Sequence, residues 1–154
     1  MSRFKSSEFS HDSLNSIGLL LINLGTPDLP TTTAVRKYLA EFLSDPRVVE
    51  LPRPIWWIIL NGFILRTRPK RSARAYKKVW TEEGSPLLTN SLSITRKIKE
   101  RLKNYLNINI EVELGMSYGN PSIKSALDKM FSNNVRKIIV LPLYPQYSSS
   151  TTGS

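Results

Sequence analysis

Residues 17–25, IGLLLINLG, are apolar almost without a break and run directly into Gly-Thr-Pro. Continuous apolarity, rather than alternation, marks a strand buried on both faces, as in a parallel sheet covered by helices. The next residues fit that demand. Thr31, Thr32 and Thr33 offer a helix cap, and Val35, Tyr38, Leu39, Phe42 and Leu43 follow at helical spacing. Later, NIEVELGM (residues 109–116) sets Ile110, Val112 and Leu114 on one alternating face. RKIIVLPLY (136–144) is apolar through its middle and reads as a buried strand. Between these runs a helix is expected with Asn120 as its cap and Pro121 at its first position. Ile123, Leu127, Met130 and Phe131 would face inward. Another helix should precede Asn109, with Ile94, Ile98, Leu102 and Tyr105 along one face. Strands alternating with helices predict an α/β fold with a mainly parallel sheet flanked by helices.

A chain of 154 residues is long enough to bury one core and is read as one domain. It has no cysteine, which excludes a disulfide framework, a thiolate zinc site and a cysteine nucleophile. Twenty-two Lys and Arg against twelve Asp and Glu leave a formal charge of +10, a balance that favours anionic partners. Residues 1–16 are rich in serine and lack an apolar core, so they read as a mobile tail rather than a signal peptide. No apolar stretch reaches the roughly 18–20 residues of a membrane span. A cytoplasmic location is expected.

The middle of the chain departs from the strand–helix alternation. LPRPIWWIILNGFILRTRPKR (residues 51–71) holds an apolar block of about a dozen residues between Arg53 and Arg66. Arg68, Lys70, Arg71, Arg74, Lys77 and Lys78 crowd behind it. One reading is a core helix followed by a solvated basic helix. The other is an apolar lip beside a cationic rim, with Trp56 and Trp57 suited to a membrane interface or a large flat ligand, and the arginines to its carboxylates.

Several chemistries are excluded by what is missing. The turn after the first strand, Leu24-Gly25-Thr26-Pro27-Asp28, is neither a dinucleotide fingerprint nor a phosphate-binding loop. The sole histidine, His11, lies in the expected tail, so a Ser-His-Asp arrangement has no histidine to use. Glu111 and Glu113 share a strand face that reads as solvated rather than metal-binding. No nucleic-acid-binding module is recognisable, and no nucleic acid partner is expected. In parallel α/β sheets ligands collect at the carboxyl ends of strands. Here those ends carry Leu24-Gly25-Thr26-Pro27, Gly115-Met116-Ser117-Tyr118 and Pro142-Leu143-Tyr144-Pro145-Gln146-Tyr147. They supply aromatics, small residues and hydroxyls without an acid–base pair: a wall for a flat apolar ligand.

Five stretches taken in order, GLLLINLGTPD, YLAEFLSDPRVVELPRPIWW, YKKVWTEEGSPL, GMSYGNPS and LPLYPQYSSSTTGS, resemble the N-terminal lobe of ferrochelatase, most closely of the bacterial type. The resemblance covers residues 17–154. It implies one Rossmann-like, chelatase-type lobe of an enzyme that inserts ferrous iron into a porphyrin, with a second lobe absent from this chain. Leu24 matches a position facing the porphyrin plane, and Tyr118 matches another cleft residue. Arg68, Tyr76 and Ser85 match positions that contact porphyrin propionates and edges. On spacing alone Tyr76 reads as a core aromatic beside Ala73 and Trp80, Ser85 as a turn residue before Pro86, and Leu24 as core.

The resemblance also implies limits. The family's histidine and glutamate for metal insertion have no counterpart in these residues, so no catalytic residue is assigned and the chain alone is expected to be inactive. Iron is a substrate of the full-length family rather than a bound cofactor, and without cysteine no iron–sulfur cluster is expected. The expected partners are a porphyrin, a membrane surface touched through residues 55–65, and either a second copy or a C-terminal lobe. Alternatives are a non-catalytic porphyrin- or haem-binding lobe and a basic membrane-associated domain. The final SSSTT segment is expected to cap a helix lying beyond this sequence.

Overall fold

The computed structural model describes residues 16–106 and 110–144. Nine elements follow in order: β1 (Ser16–Thr26), α1 (Thr32–Ser44), α2 (Arg53–Ile59), a π-helical turn (Leu60–Ile64), α3 (Leu65–Val79), α4 (Pro86–Leu106), β2 (Ile110–Gly119), α5 (Ile123–Ser132) and β3 (Val135–Pro142). The strands form a parallel sheet in the order β2-β1-β3. Residues 1–15 and 145–154, with the tail and the final SSSTT segment, lie outside the described residues. Ser16, expected in the tail, already belongs to β1, where its hydroxyl donates to the carbonyl of Asn134 at 2.6 Å.

The unbroken apolarity of β1 has a direct structural cause. It is the central strand, and successive side chains enter opposite layers. Leu20 packs with Ala126, Met130 and Val135 under α5, whereas Leu21 packs with Val112, Leu114 and Met116 under α4. In β2 the alternating set Ile110, Val112, Leu114 and Met116 all lies on the α4 side, as its spacing predicts. Glu111 and Glu113 pair with cations instead, Lys99 at 3.0 Å and Lys129 at 2.6 Å.

Several boundaries differ from the sequence expectation. The cap of α5 is Ser122 rather than Asn120; its hydroxyl accepts from the N–H of Ser125, while the Pro121 carbonyl accepts from the Met116 N–H of β2. The helix therefore starts two residues later than Pro121. Met130 is buried as expected, with Ala126 beside it and Ile123 and Leu127 packed against them, whereas Phe131 is 60% exposed. In α4, Ile98 and Leu102 reach the core together with Leu88, but Ile94 and Tyr105 face outward, the latter 84% exposed.

The third strand is the largest correction. Expected to be buried, β3 is an edge strand, and Ile139, Val140 and Leu141 are all exposed. The register sets Ile139 and Leu141 opposite Leu19 and Leu21, toward the α4 side, and Val140 opposite Leu20, toward the α5 side. Neither helix reaches far enough to cover them. An unpaired apolar edge is a template for association. The 154-residue chain is therefore expected to sediment as associated species at micromolar concentration, and the double substitution Ile139→Lys, Leu141→Lys to shift it toward monomer. A monodisperse wild-type monomer would contradict this.

Candidate functional site

The carboxyl ends of all three strands point the same way, and a set of hydrogen-bonded polar and aromatic residues lies there. Asn23 fastens the end of β1: its Oδ1 accepts from the Leu24 N–H at 2.8 Å, and its amide donates to Ser91 Oγ of α4 at 3.0 Å. Leu24 itself is half-buried. Beyond it the chain bends at Gly25, with φ of +110°, where side chains other than glycine's are strained. Thr26 then reaches α4, its Oγ1 donating to Ser85 Oγ at 2.9 Å. A tight turn closed by paired bonds between Thr81 and Gly84 delivers Ser85 to the start of α4, where its carbonyl accepts from the Thr89 N–H.

An aromatic cluster flanks these groups. Phe42 of α1 stacks on Tyr38 at 6.1 Å and meets the edge of Tyr118 at 5.1 Å. The Tyr118 hydroxyl donates to Asp45 Oδ2 at 3.0 Å, and Asp45 Oδ1 accepts from the Arg47 N–H at 2.8 Å. Tyr144, just past β3, meets Ser117 of β2 across β1 at 3.0 Å. Burial raises the Tyr38 phenol well above the ordinary tyrosine range, and Tyr76, Tyr118, Glu41 and Tyr144 raise it further. Burial also raises Tyr76, whose ring stands edge-on to Trp80 at 6.2 Å. Both phenols are thus protonated near neutral pH and offer no base there. An open groove of about 500 Å³ runs beside the cluster, lined by Glu41, Ser44, Asp45, Arg47, Ser117 and Tyr118.

The segment from α2 to α3 forms the neighbouring margin. Two contacts tie α2 to carbonyls left open at the end of α1: Trp56 Nε1 donates to Leu43 O at 2.6 Å, and Arg53 Nη1 to Ser44 O at 3.0 Å. Leu60, Leu65, Pro69 and Ala73 face inward. The core-helix reading fails over the first half of the apolar block, because α2 buries no residue; only Leu60 and Leu65 of the block are fully buried. Ile55, Trp57, Ile58 and Phe63 are exposed, Trp57 and Phe63 by 66% each, and the exposed cations of α3 follow directly. Among the described residues, no helix is long and apolar enough to cross a membrane.

Four of the five expected site residues therefore gather at the strand ends. Ser85 is held there by Thr26, two residues past Leu24, and Tyr76 and Tyr118 lie near enough to raise the Tyr38 phenol. Arg68 is exposed on α3, and among the described residues no hydrogen bond or ion pair joins it to the other four. Sequence reasoning missed Asn23, Phe42 and Asp45. Phe42 looked like one member of a helical stripe, and nothing in Asp45-Pro46 signals a bond to a tyrosine 73 positions away. Among the described residues, no three His, Asp or Glu side chains converge as a metal site would require.

The ferrochelatase family model matches residues 16–154. The chain belongs to the ferrochelatase family. It is 55% identical over 146 residues to the ferrochelatase of Marinobacter nauticus and 56% identical over 146 residues to that of Idiomarina loihiensis, covering 95% of this chain each time. To ferrochelatase 2 of Shewanella oneidensis it is 54% identical over 144 residues, 94% of its length. The matched region spans only 40–44% of these ferrochelatases.

Proposed function

We propose that this chain is the porphyrin-holding lobe of a ferrochelatase, serving haem biosynthesis by presenting protoporphyrin IX or a related dicarboxylic porphyrin for insertion of ferrous iron. The observation that carries the reading is convergence. The family-like segments around Leu24, Ser85, Tyr118 and Tyr144 are far apart in sequence, yet they meet at the carboxyl end of one parallel sheet. Leu24 and the Tyr38, Phe42, Tyr76 and Tyr118 rings offer apolar surface to a macrocycle. Ser85 offers its periphery a hydroxyl, and Arg68 on the cationic α3 offers charge to its carboxylates.

Insertion of iron displaces two pyrrole protons, which need an acceptor. Tyr38 and Tyr76 stay protonated, the Asp45 carboxylate already holds Tyr118 and the Arg47 N–H, Glu41 holds the Gly119 N–H, and the only histidine is His11. The lobe is accordingly assigned binding and positioning, without the metal-insertion step. Fluorescence titration of protoporphyrin IX with the purified chain tests this. Saturable quenching is expected, with indifference to added DNA; absence of saturable binding would sink the reading.

The exposed apolar face of α2 and the π-helical turn, beside the cations of α3, favours a second role for the same lobe at an anionic membrane surface. Co-sedimentation is expected with vesicles containing phosphatidylglycerol, falling with added salt and weakened severalfold by Trp57→Ser with Phe63→Ser. Equal pelleting with neutral vesicles, or none, would count against it.

A further inference from the structure

The end of α1 is tied off by partners from elsewhere in the fold. The carbonyls of Leu43 and Ser44 accept from Trp56 and Arg53 of α2. Asp45, the next residue, accepts four times. Its carbonyl takes the N–H groups of Val48 and Val49, its Oδ1 the Arg47 N–H at 2.8 Å, and its Oδ2 the Tyr118 hydroxyl at 3.0 Å. The first three bonds close the turn that leaves α1. The fourth serves no turn. It crosses 73 positions of sequence to a ring at the end of β2 that is 5% exposed, and both residues line the open groove at the strand ends.

We infer that Asp45 is a positioning residue for the porphyrin-holding face, and that it works by setting the pose of the Tyr118 ring. The ring is restrained at two points. Phe42 packs against it nearly perpendicular, with centroids 5.1 Å apart, and the carboxylate fixes its hydroxyl end. A hydrogen bond to a charged acceptor is about twice as strong as a neutral one, so the second restraint is the directional one. The inference rests on the porphyrin reading above and adds a residue that no ligand needs to touch. Apparent affinity scales with the fraction of molecules already in the binding-competent pose. A ring without its tether that keeps this pose in about one-fifth of molecules would bind porphyrin about fivefold more weakly.

The test is a double-mutant cycle read in protoporphyrin IX affinity, with melting temperatures recorded separately. Asp45→Ala and Tyr118→Phe should each weaken binding about fivefold, and the double variant no more than either. The Soret maximum of the bound porphyrin should shift equally in all three. Asp45→Ala also opens the turn at Arg47, so it should melt below Tyr118→Phe; a role in the turn moves stability without producing the coupling. If Asp45 served only the turn, its removal would weaken binding by the same factor in the Tyr118→Phe background as in the wild type, and that result overturns the inference. Unchanged affinity in either folded single variant does so too. Should Asp45→Ala not fold, Tyr118→Phe decides, because it keeps the ring and removes only the hydroxyl: weakened binding upholds the inference and wild-type affinity overturns it. A wild-type chain that binds no porphyrin overturns the underlying reading instead.

Discussion

Gly25→Ala is expected to lose on the order of 3–5 kcal/mol of stability, the largest effect of any single methyl group added to this chain. Two independent causes act at that position. The backbone φ of +110° is one that residues with a Cβ rarely adopt, and the added carbon would sit 1.7 Å from the carbonyl oxygen of Tyr118. That oxygen belongs to β2, whose Tyr118 lies opposite Gly25 in the parallel register. The strands cannot separate there without breaking the ladder that shapes the site. Gly62 provides the control. It lies in the π-helical turn, an added Cβ meets nothing within 4 Å, and Gly62→Ala should be neutral or stabilising by about 1 kcal/mol. Thermal melting of the two variants is the check, and equal melting temperatures would refute this account of the strand end.

Leu21→Ala should cost about 3–5 kcal/mol, at the upper end for buried leucines. Leu21 is 0% exposed at the middle of the central strand, between Leu114 of β2 and Leu141 of β3, with α4 above it. Surrounded on every side, the site has little room to collapse around a cavity. Ile139→Ala on β3 removes a similar side chain that is 58% exposed and should change stability by less than about 1 kcal/mol. Denaturant melts of the pair separate burial from hydrophobicity as such. Comparable losses in both would show that β3 is covered in solution.

The legible part of the fold was the part governed by period. The unbroken run of β1 points to a strand buried on both faces, the alternation in β2 and the helical spacing after Thr31 to elements with one inward face, and each forms. Hydrophobic composition could not tell a buried strand from an edge strand. The apolar middle of β3, Ile138 to Leu141, reads like that of β1, and its place at the edge of the sheet leaves it exposed. Composition likewise left residues 54–65 open between a core helix and an apolar lip; the fold buries Leu60 and Leu65 and turns Ile55, Trp57, Ile58 and Phe63 outward. At the site, the strand-end rule located Leu24 and Tyr118 because it depends on topology alone. Asn23, Thr26 and Asp45 act through bonds to partners 68, 59 and 73 positions away, and no local pattern encodes such a pairing.

The central claim is that this lobe holds a porphyrin and does not metallate it. The most direct measurement is the absorption spectrum of protoporphyrin IX, recorded as the purified chain is added and then as ferrous iron is supplied without oxygen. The account predicts a saturable spectral shift on adding protein, followed by conversion to the iron porphyrin no faster than without it. A spectrum indifferent to the protein, or metallation faster than the protein-free rate, would contradict it.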